Sequence, residues 1–271
     1  MSQENRTPLD HYRIRSFSAG SQWIIDGAKL MNGQFVRWLT LMLVFVMIVL
    51  LANIIPGAIF VYSLLVPVFW AGIFLAGSAS VNHLEWTPGI LVEPLKLRRT
   101  NLLILGGILM ILNLMISLWL LSSLKEIIDF DAFNQAVKEL AETENRQPLM
   151  DMFADPIVIE KILLQMLSAS LFFIPIAMAG WFSPALVFEY NLKPLEALKL
   201  SFRACLANFL PFFSYSLVAL VLLILSMAFL PLAFFILPLL LATYYSSYRD
   251  IWPESELVKK ATDEDQISIS L

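Results

Sequence analysis

Two histidines, one cysteine and 22 carboxylates are the side chains from which this 271-residue chain could assemble a reactive centre. Their spacing argues against one. A protein metal site draws three or more ligands to one point. His83-x-Glu85 supplies only two, and His11 stands alone. Cys205 has no second cysteine to pair with, so no intramolecular disulfide forms. At the start of an apolar stretch, it reads as a small apolar side chain. No Walker A loop, Gly-x-Gly-x-x-Gly, Cys-x-x-Cys, His-Glu-x-x-His or Gly-x-Ser-x-Gly occurs. The expectation is a non-enzymatic protein, with no catalytic, cofactor-binding or metal-binding residues and no cofactor.

The elements that would have to position such residues are strongly apolar. Hydrophobic residues make up 59% of the chain and charged residues 15%, with a mean hydropathy of +0.75. A soluble domain is nearer about 45–50% and 25%. A net charge of −4 without a basic stripe excludes nucleic acid as a partner. Between Arg37 and Glu85 there is no Asp, Glu, Lys or Arg. That stretch is far longer than the roughly 20 residues one span needs, so it must hold two. Six hydrophobic stretches follow in all: 38–56, 58–80, 101–123, 162–188, 208–229 and 230–247. Pro56-Gly57 separates the first pair and Leu230-Pro231 the last. The mixed segment before Trp38, and the length of the run after it, fit a retained anchor rather than a signal peptide.

Lys and Arg flanking the spans set the orientation. Arg6, Arg13, Arg15, Lys29 and Arg37 precede the first span. Lys96, Arg98 and Arg99 lie in the second connection, and Lys193, Lys199 and Arg203 in the fourth. Arg249, Lys259 and Lys260 follow the last span. The third connection, 125–161, carries four basic residues against nine acidic ones. This places both termini in the cytoplasm and 125–161 outside. The chain then divides into a tail (1–20), a six-helix membrane domain (21–248) and a second tail (249–271). Trp23, Trp38, Trp86, Trp181, Tyr244 and Tyr245 suit the aromatic belts of the two interfaces.

The chain also repeats itself. Asp26-Gly27-Ala28-Lys29-Leu30, Glu93-Pro94-Leu95-Lys96-Leu97 and Glu196-Ala197-Leu198-Lys199-Leu200 share one pattern. Pro67-x-x-x-Ala71-Gly72, Pro175-x-x-x-Ala179-Gly180 and Pro238-x-x-x-Ala242-Thr243 share a second. Lys29 to Pro67 is 38 residues and Lys199 to Pro238 is 39. Lys96 to Pro175 is 79, and removing the 37 residues of 125–161 leaves 42, almost the common spacing. The reading is an all-α membrane fold of three repeated helical hairpins. Each has a short cytoplasmic interfacial helix, a span, a tight turn and a second span with proline. The units stand in a pseudo-threefold or a linear arrangement.

In the first interfacial helix Trp23, Ile24, Gly27, Ala28, Leu30 and Met31 form the apolar stripe. In the third, Leu195, Leu198 and Phe202 do so. Such amphipathic segments suit the membrane surface. Each proline frees the carbonyl four residues earlier, at Ser63, Leu171 and Phe234. The small residues one turn later let a neighbour come close, so these helices should face the bundle interior. The kinks serve packing or a transport hinge. Asn53, Asn113, Gln165, Ser168, Ser170, Ser214 and Ser216 are the polar groups of the spans. They make interhelical hydrogen bonds or line a pathway. Outside, 129–145 should be a helix capped by Asp131, with Phe133, Val137 and Leu140 on one face. Met150, Met152 and Phe153 would rest on the membrane surface.

Gly180-Trp181-Phe182-Ser183-Pro184-Ala185-Leu186-Val187, then Leu195 to Ser201 and Asn208, together with Gln22-Trp23-Ile24-Ile25-Asp26-Gly27, carry a family likeness. Over 20–248 the chain resembles six-helix inner-membrane proteins of proteobacteria. These are similar to the YciC group and to the membrane domain attached to some glycerophosphodiester phosphodiesterases. The resemblance implies the inner membrane of a Gram-negative bacterium and no transferable activity. Two functions fit. One is a scaffold or accessory subunit in envelope biology, with membrane lipids and an inner-membrane or periplasmic protein as partners. The other is a transporter or flippase for an amphiphile. An intramembrane enzyme ranks third. A cavity lined by Asn53, Asn113 and Gln165 would favour transport, and a filled interior the scaffold.

Overall fold

The computed structural model describes residues 12–253. Arg6, His11, Lys259 and Lys260, used above, lie outside them. The described regular structure is helical: α1 Ala19–Met31, α2 Phe35–Ile54, α3 Ala58–Val81, α4 Pro94–Lys125, α5 Phe130–Thr143, α6 Gln147–Met152, α7 Pro156–Tyr190, α8 Pro194–Ala207, α9 Phe209–Ala228 and α10 Ala233–Ile251. Short 3-10 turns occupy Pro88–Leu91 and Leu230–Leu232. Among the described residues, six helices are long and apolar enough to cross a membrane, and all six expected stretches coincide with them. The protein is thus a multi-pass, all-α membrane protein. The tight turn between α2 and α3 rests on Gly57, whose φ of 79° is the left-handed region open to glycine.

The chain forms two compact units, 1–107 with 178–271, and 108–177. In the first, α10 is the central element. Residues 242–248 are buried without interruption, so the helix is covered all round. Rings of α3, α7 and α10 fill the centre. Phe74 meets Tyr245 at 5.4 Å and Tyr248 at 4.9 Å, and Phe182 meets Tyr248 at 5.8 Å. Each such pair adds about 0.5–1.5 kcal/mol beyond its buried area.

Around these helices, small residues allow close crossings. A side chain at Gly72 of α3 would meet the backbone of Ile90 and Leu91. One at Gly27 of α1 would meet Thr243 of α10, and one at Gly20 would meet the backbone of Pro211 and Tyr215 on α9. Ser201 of α8 enters the ladder of α7. Its hydroxyl donates to the Met178 carbonyl at 2.7 Å and accepts from the Phe182 N–H at 3.0 Å.

Several expectations are corrected in this unit. The stripe of α1 does not lie on lipid. Trp23, Ile24, Gly27 and Met31 are buried, and α1 packs on α9 and α10. The middle repeat's leading helix is reduced to a single turn. Residues 94–97 are the first turn of α4, cut off by a non-helical Arg98. On α8 the buried stripe is Ala197, Leu198, Ser201, Ala204 and Cys205, while Leu195 is 60% exposed. Small side chains let α8 sit directly on its neighbours, which a Leu195–Phe202 face would not. Trp23, Trp38, Trp86, Tyr244 and Tyr245 are buried inside the protein rather than set in a lipid-facing belt. The polar edges of Trp23, Trp38, Trp86 and Tyr245 find protein partners instead of headgroups. Trp38 and Trp86 donate to Ser80 at 3.2 Å, and Trp86 to Gln34 at 3.0 Å. Residues 12–20 are no free tail, because the Arg13 N–H donates to the Ile251 carbonyl at 2.9 Å.

In the second unit, Trp119 of α4 meets Phe172 of α7 at 5.5 Å. Helix α5 is capped by Asp129, which accepts from the N–H groups of Asp131 and Ala132. Asp131, the expected cap, lies inside the helix. Ala136 is its buried residue and Val137 is 42% exposed, so the apolar face is centred one position before the expected one. Met150 is exposed, while Met152 and Phe153 are half-buried.

Candidate functional site

The last turns of α10 read Thr243-Tyr-Tyr-Ser-Ser-Tyr-Arg-Asp250, a polar run without an apolar face. A helix of that kind cannot be stabilised by lipid, and here protein covers it. Arg249 holds the centre of the cluster. Its Nη1 lies 2.7 Å from Glu189 Oε1 at the end of α7, with both side chains less than a fifth exposed. Its Nε donates to the Tyr245 hydroxyl at 3.2 Å, and Tyr248 donates to Glu189 Oε2 at 2.5 Å. The guanidinium stands over the rings of Phe74 at 5.2 Å and Tyr245 at 5.5 Å. A delocalised cation over ring faces gains from their quadrupoles, more so where water is excluded. Nη1 makes no well-aligned hydrogen bond, so charge more than direction holds the pair.

A second polar knot lies at the start of α9. Asn208 is fully buried. Its amide donates to the Arg13 carbonyl at 3.0 Å, and its oxygen accepts from the Arg15 N–H at 2.8 Å. Asp250 accepts from Arg15 Nε at 2.9 Å and from Trp23 Nε1 at 2.8 Å. Residues 12–15 are therefore strapped onto the end of α10, and these two segments lie on the same side of the protein.

The sequence-derived positions are scattered around these knots. Lys29 pairs with Asp26 and Lys96 with Glu93, each at 2.7 Å and exposed, while Lys199 is exposed on α8. Exposed i,i+3 pairs contribute at most about 0.5 kcal/mol. Pro67, Pro238 and Gly72 are buried, as expected for an interior face. Gly180 is half-buried. Pro175, in the second unit, is exposed, so the inward orientation fails there.

Asn53, Asn113 and Ser216 bond to carbonyls one turn back on their own helices, and Ser168 and Ser170 to carbonyls three residues back. Interhelical bonds therefore come from elsewhere, and Asn53 and Asn113 are exposed. A polar side chain facing lipid can satisfy itself only on its own backbone, which explains the difference.

Glu85 is held by Arg37 at 3.0 Å, which takes it from any His83 pairing. Among the described residues, no group of three or more His, Cys, Asp or Glu converges as metal ligands. Cys205 is buried, and burial pushes its thiol up to about 12, with Ser201 pulling the other way.

An open groove of about 600 Å³ runs between α1, the start of α2 and α10, lined among others by Ile25, Lys29, Met31, Phe35, Phe235 and Leu239.

Comparisons with known protein families, curated proteins and solved structures find no match.

Sequence reasoning passed over Glu189, Arg249 and Tyr248 as a unit. The signal was present as a span ending in the eight polar or aromatic residues Thr243 to Asp250, with no apolar stripe.

Proposed function

We propose that this is an inner-membrane scaffold or accessory subunit without catalytic activity, with both ends in the cytoplasm and three hairpin units around a common centre. The observation that carries the reading is the filled centre. Phe74, Phe182, Tyr244 and Tyr248 contact one another there, and Trp70 closes on Tyr244 at 4.8 Å. A solute path between α3, α7 and α10 would have to displace these rings. The charges that could couple to transport, Glu189 and Arg249, bind each other at the end of the spans. Transporters place such groups at depth along a route.

The rival, amphiphile transport, makes a different prediction in a purified system. The protein is reconstituted into vesicles carrying a fluorescent phospholipid, and loss of inner-leaflet protection from dithionite is followed. The scaffold reading expects the rate of protein-free vesicles. It also expects a defined protein partner, at fixed stoichiometry, after cross-linking in cells and isolation in mild detergent. Scrambling well above the control, with no such partner, would overturn it.

A further inference from the structure

The groove between α1, α2 and α10 has the chemistry of an amphiphile site. Its floor is apolar. Phe35 and Phe235 are stacked at 5.1 Å between ring centroids, with Leu239 and Met31 beside them and Ile25 on the rim. Its volume of about 600 Å³ lies within the roughly 300–1,000 Å³ of small-molecule sites. One end carries a cation, Lys29, in the last turn of α1. The other end is formed by α2 and α10, two helices long and apolar enough to cross a membrane. An apolar groove between two such helices fits an acyl chain.

From this charge complementarity we infer that the groove binds one anionic phospholipid of the bilayer. An acyl chain lies along Phe35, Phe235 and Leu239, and the headgroup phosphate sits on the Lys29 ammonium. Lys29 is available for this. Its side chain is 69% exposed, and its partner Asp26, at 2.7 Å, forms an exposed pair of the kind that contributes little and opens readily. Asp26 is therefore a competitor for the phosphate, and the site should strengthen when it is neutralised. The inference goes beyond the scaffold reading and stands or falls separately from it.

The test is native mass spectrometry of the full chain in mild detergent, with added phosphatidylglycerol or phosphatidylcholine of identical acyl chains. One phosphatidylglycerol should be retained per chain in preference to phosphatidylcholine. Lys29→Gln should weaken that retention about fivefold, the effect of one basic side chain near an anionic headgroup. Lys29→Arg should keep it, and Asp26→Asn should raise it. Ala28→Trp places a ring into the groove from an exposed position and should abolish the preference. If Ala28→Trp does not fold to a monodisperse protein, the Lys29 and Asp26 arms decide alone. Equal retention of the two lipids, or weaker binding in Asp26→Asn, overturns the proposal. So does a change in oligomeric mass in Ala28→Trp with lipid retention intact, which would make the groove a contact between copies of the chain.

Discussion

Gly106 and Gly107 are neighbours on α4, yet replacing each with alanine should move stability in opposite directions. Alanine stabilises a helix interior over glycine by about 0.5–1 kcal/mol, chiefly by restricting the unfolded chain. That gain is common to both positions, so the difference between the variants isolates the packing. At Gly107 the nearest atom to a new methyl is the Leu64 Cδ1 at 3.9 Å, an ordinary contact. At Gly106 the methyl would overlap the Leu64 carbonyl oxygen, with the carbonyl carbon at 2.8 Å and Cα at 3.2 Å. These are backbone atoms of α3, which cannot swing aside as a side chain would. The two helices must separate, and overpacking of this kind costs roughly 1–3 kcal/mol. Gly107→Ala should therefore be stabilised by about 0.5–1 kcal/mol. Gly106→Ala should be destabilised by up to about 2 kcal/mol, the overpacking less the helix gain. For a chain of this size each kcal/mol shifts the midpoint by about 2–4 °C. Thermal unfolding of both variants beside the parent, in one detergent and at one scan rate, ranks them even if unfolding is irreversible. A Gly106→Ala protein as stable as Gly107→Ala would refute the close crossing of α3 and α4.

Two further outcomes follow from the polar knots. Removing one partner of a buried ion pair costs about 3–5 kcal/mol, and the modest exposure of this one lowers the expectation to roughly 1–3 kcal/mol for Glu189→Gln or Arg249→Gln. Because each strands the other's charge, the double variant should lose less than the sum of the two, and strict additivity in a double-mutant cycle of thermal stability would refute the pairing. For Cys205, whose thiol burial pushes up to about 12, the maleimide labelling rate should keep rising through pH 10 without levelling off. A plateau near pH 8.5, the ordinary cysteine value, would show the thiol to be solvated.

The spans were legible because lipid imposes one rule on every residue that faces it, and 20 uninterrupted apolar residues have no other reading. The interior was harder to read for the same reason. A Trp at the end of a span looks alike whether it faces headgroups or a Ser80 hydroxyl, so Trp38 and Trp86 were assigned to the belt. On α8 the small Ala197, Ser201, Ala204 and Cys205 share the buried face with Leu198 and Leu200, so a stripe drawn through Leu195 and Phe202 misplaces it. Asp129 and Asp131 are equally good caps by type, and only the backbone entering α5 separates them. Glu189 and Arg249 are 60 positions apart and each sits beside other charges, so their pairing could emerge only from the fold.

Three contacts that the sequence could not show bear on the proposed repeat. The residues one turn after the three repeat prolines, or their immediate neighbours, each receive a short segment at the head of a span. Gly72 of α3 receives the Ile90–Leu91 turn that leads into α4. Met178 and Phe182, flanking Gly180 on α7, receive Ser201 of α8. Thr243 of α10 receives Gly27 of α1. Under the proposed repeat, each hairpin's second span would receive the next hairpin's leading segment, and the third would receive the first's. A linear array would leave α1 and α10 without each other. In the proposed threefold arrangement their crossing would close the set, and it uses the one leading helix whose motif carries glycine, Gly27, where the others have Pro94 and Ala197. A closed set of three second spans would bring Phe74, Phe182 and Tyr245, each two residues beyond its repeat's small position, toward a shared middle. Phe74 does meet Tyr245, whereas Phe182 reaches Tyr244 and Tyr248, so the contacts follow the proposed equivalence only in part.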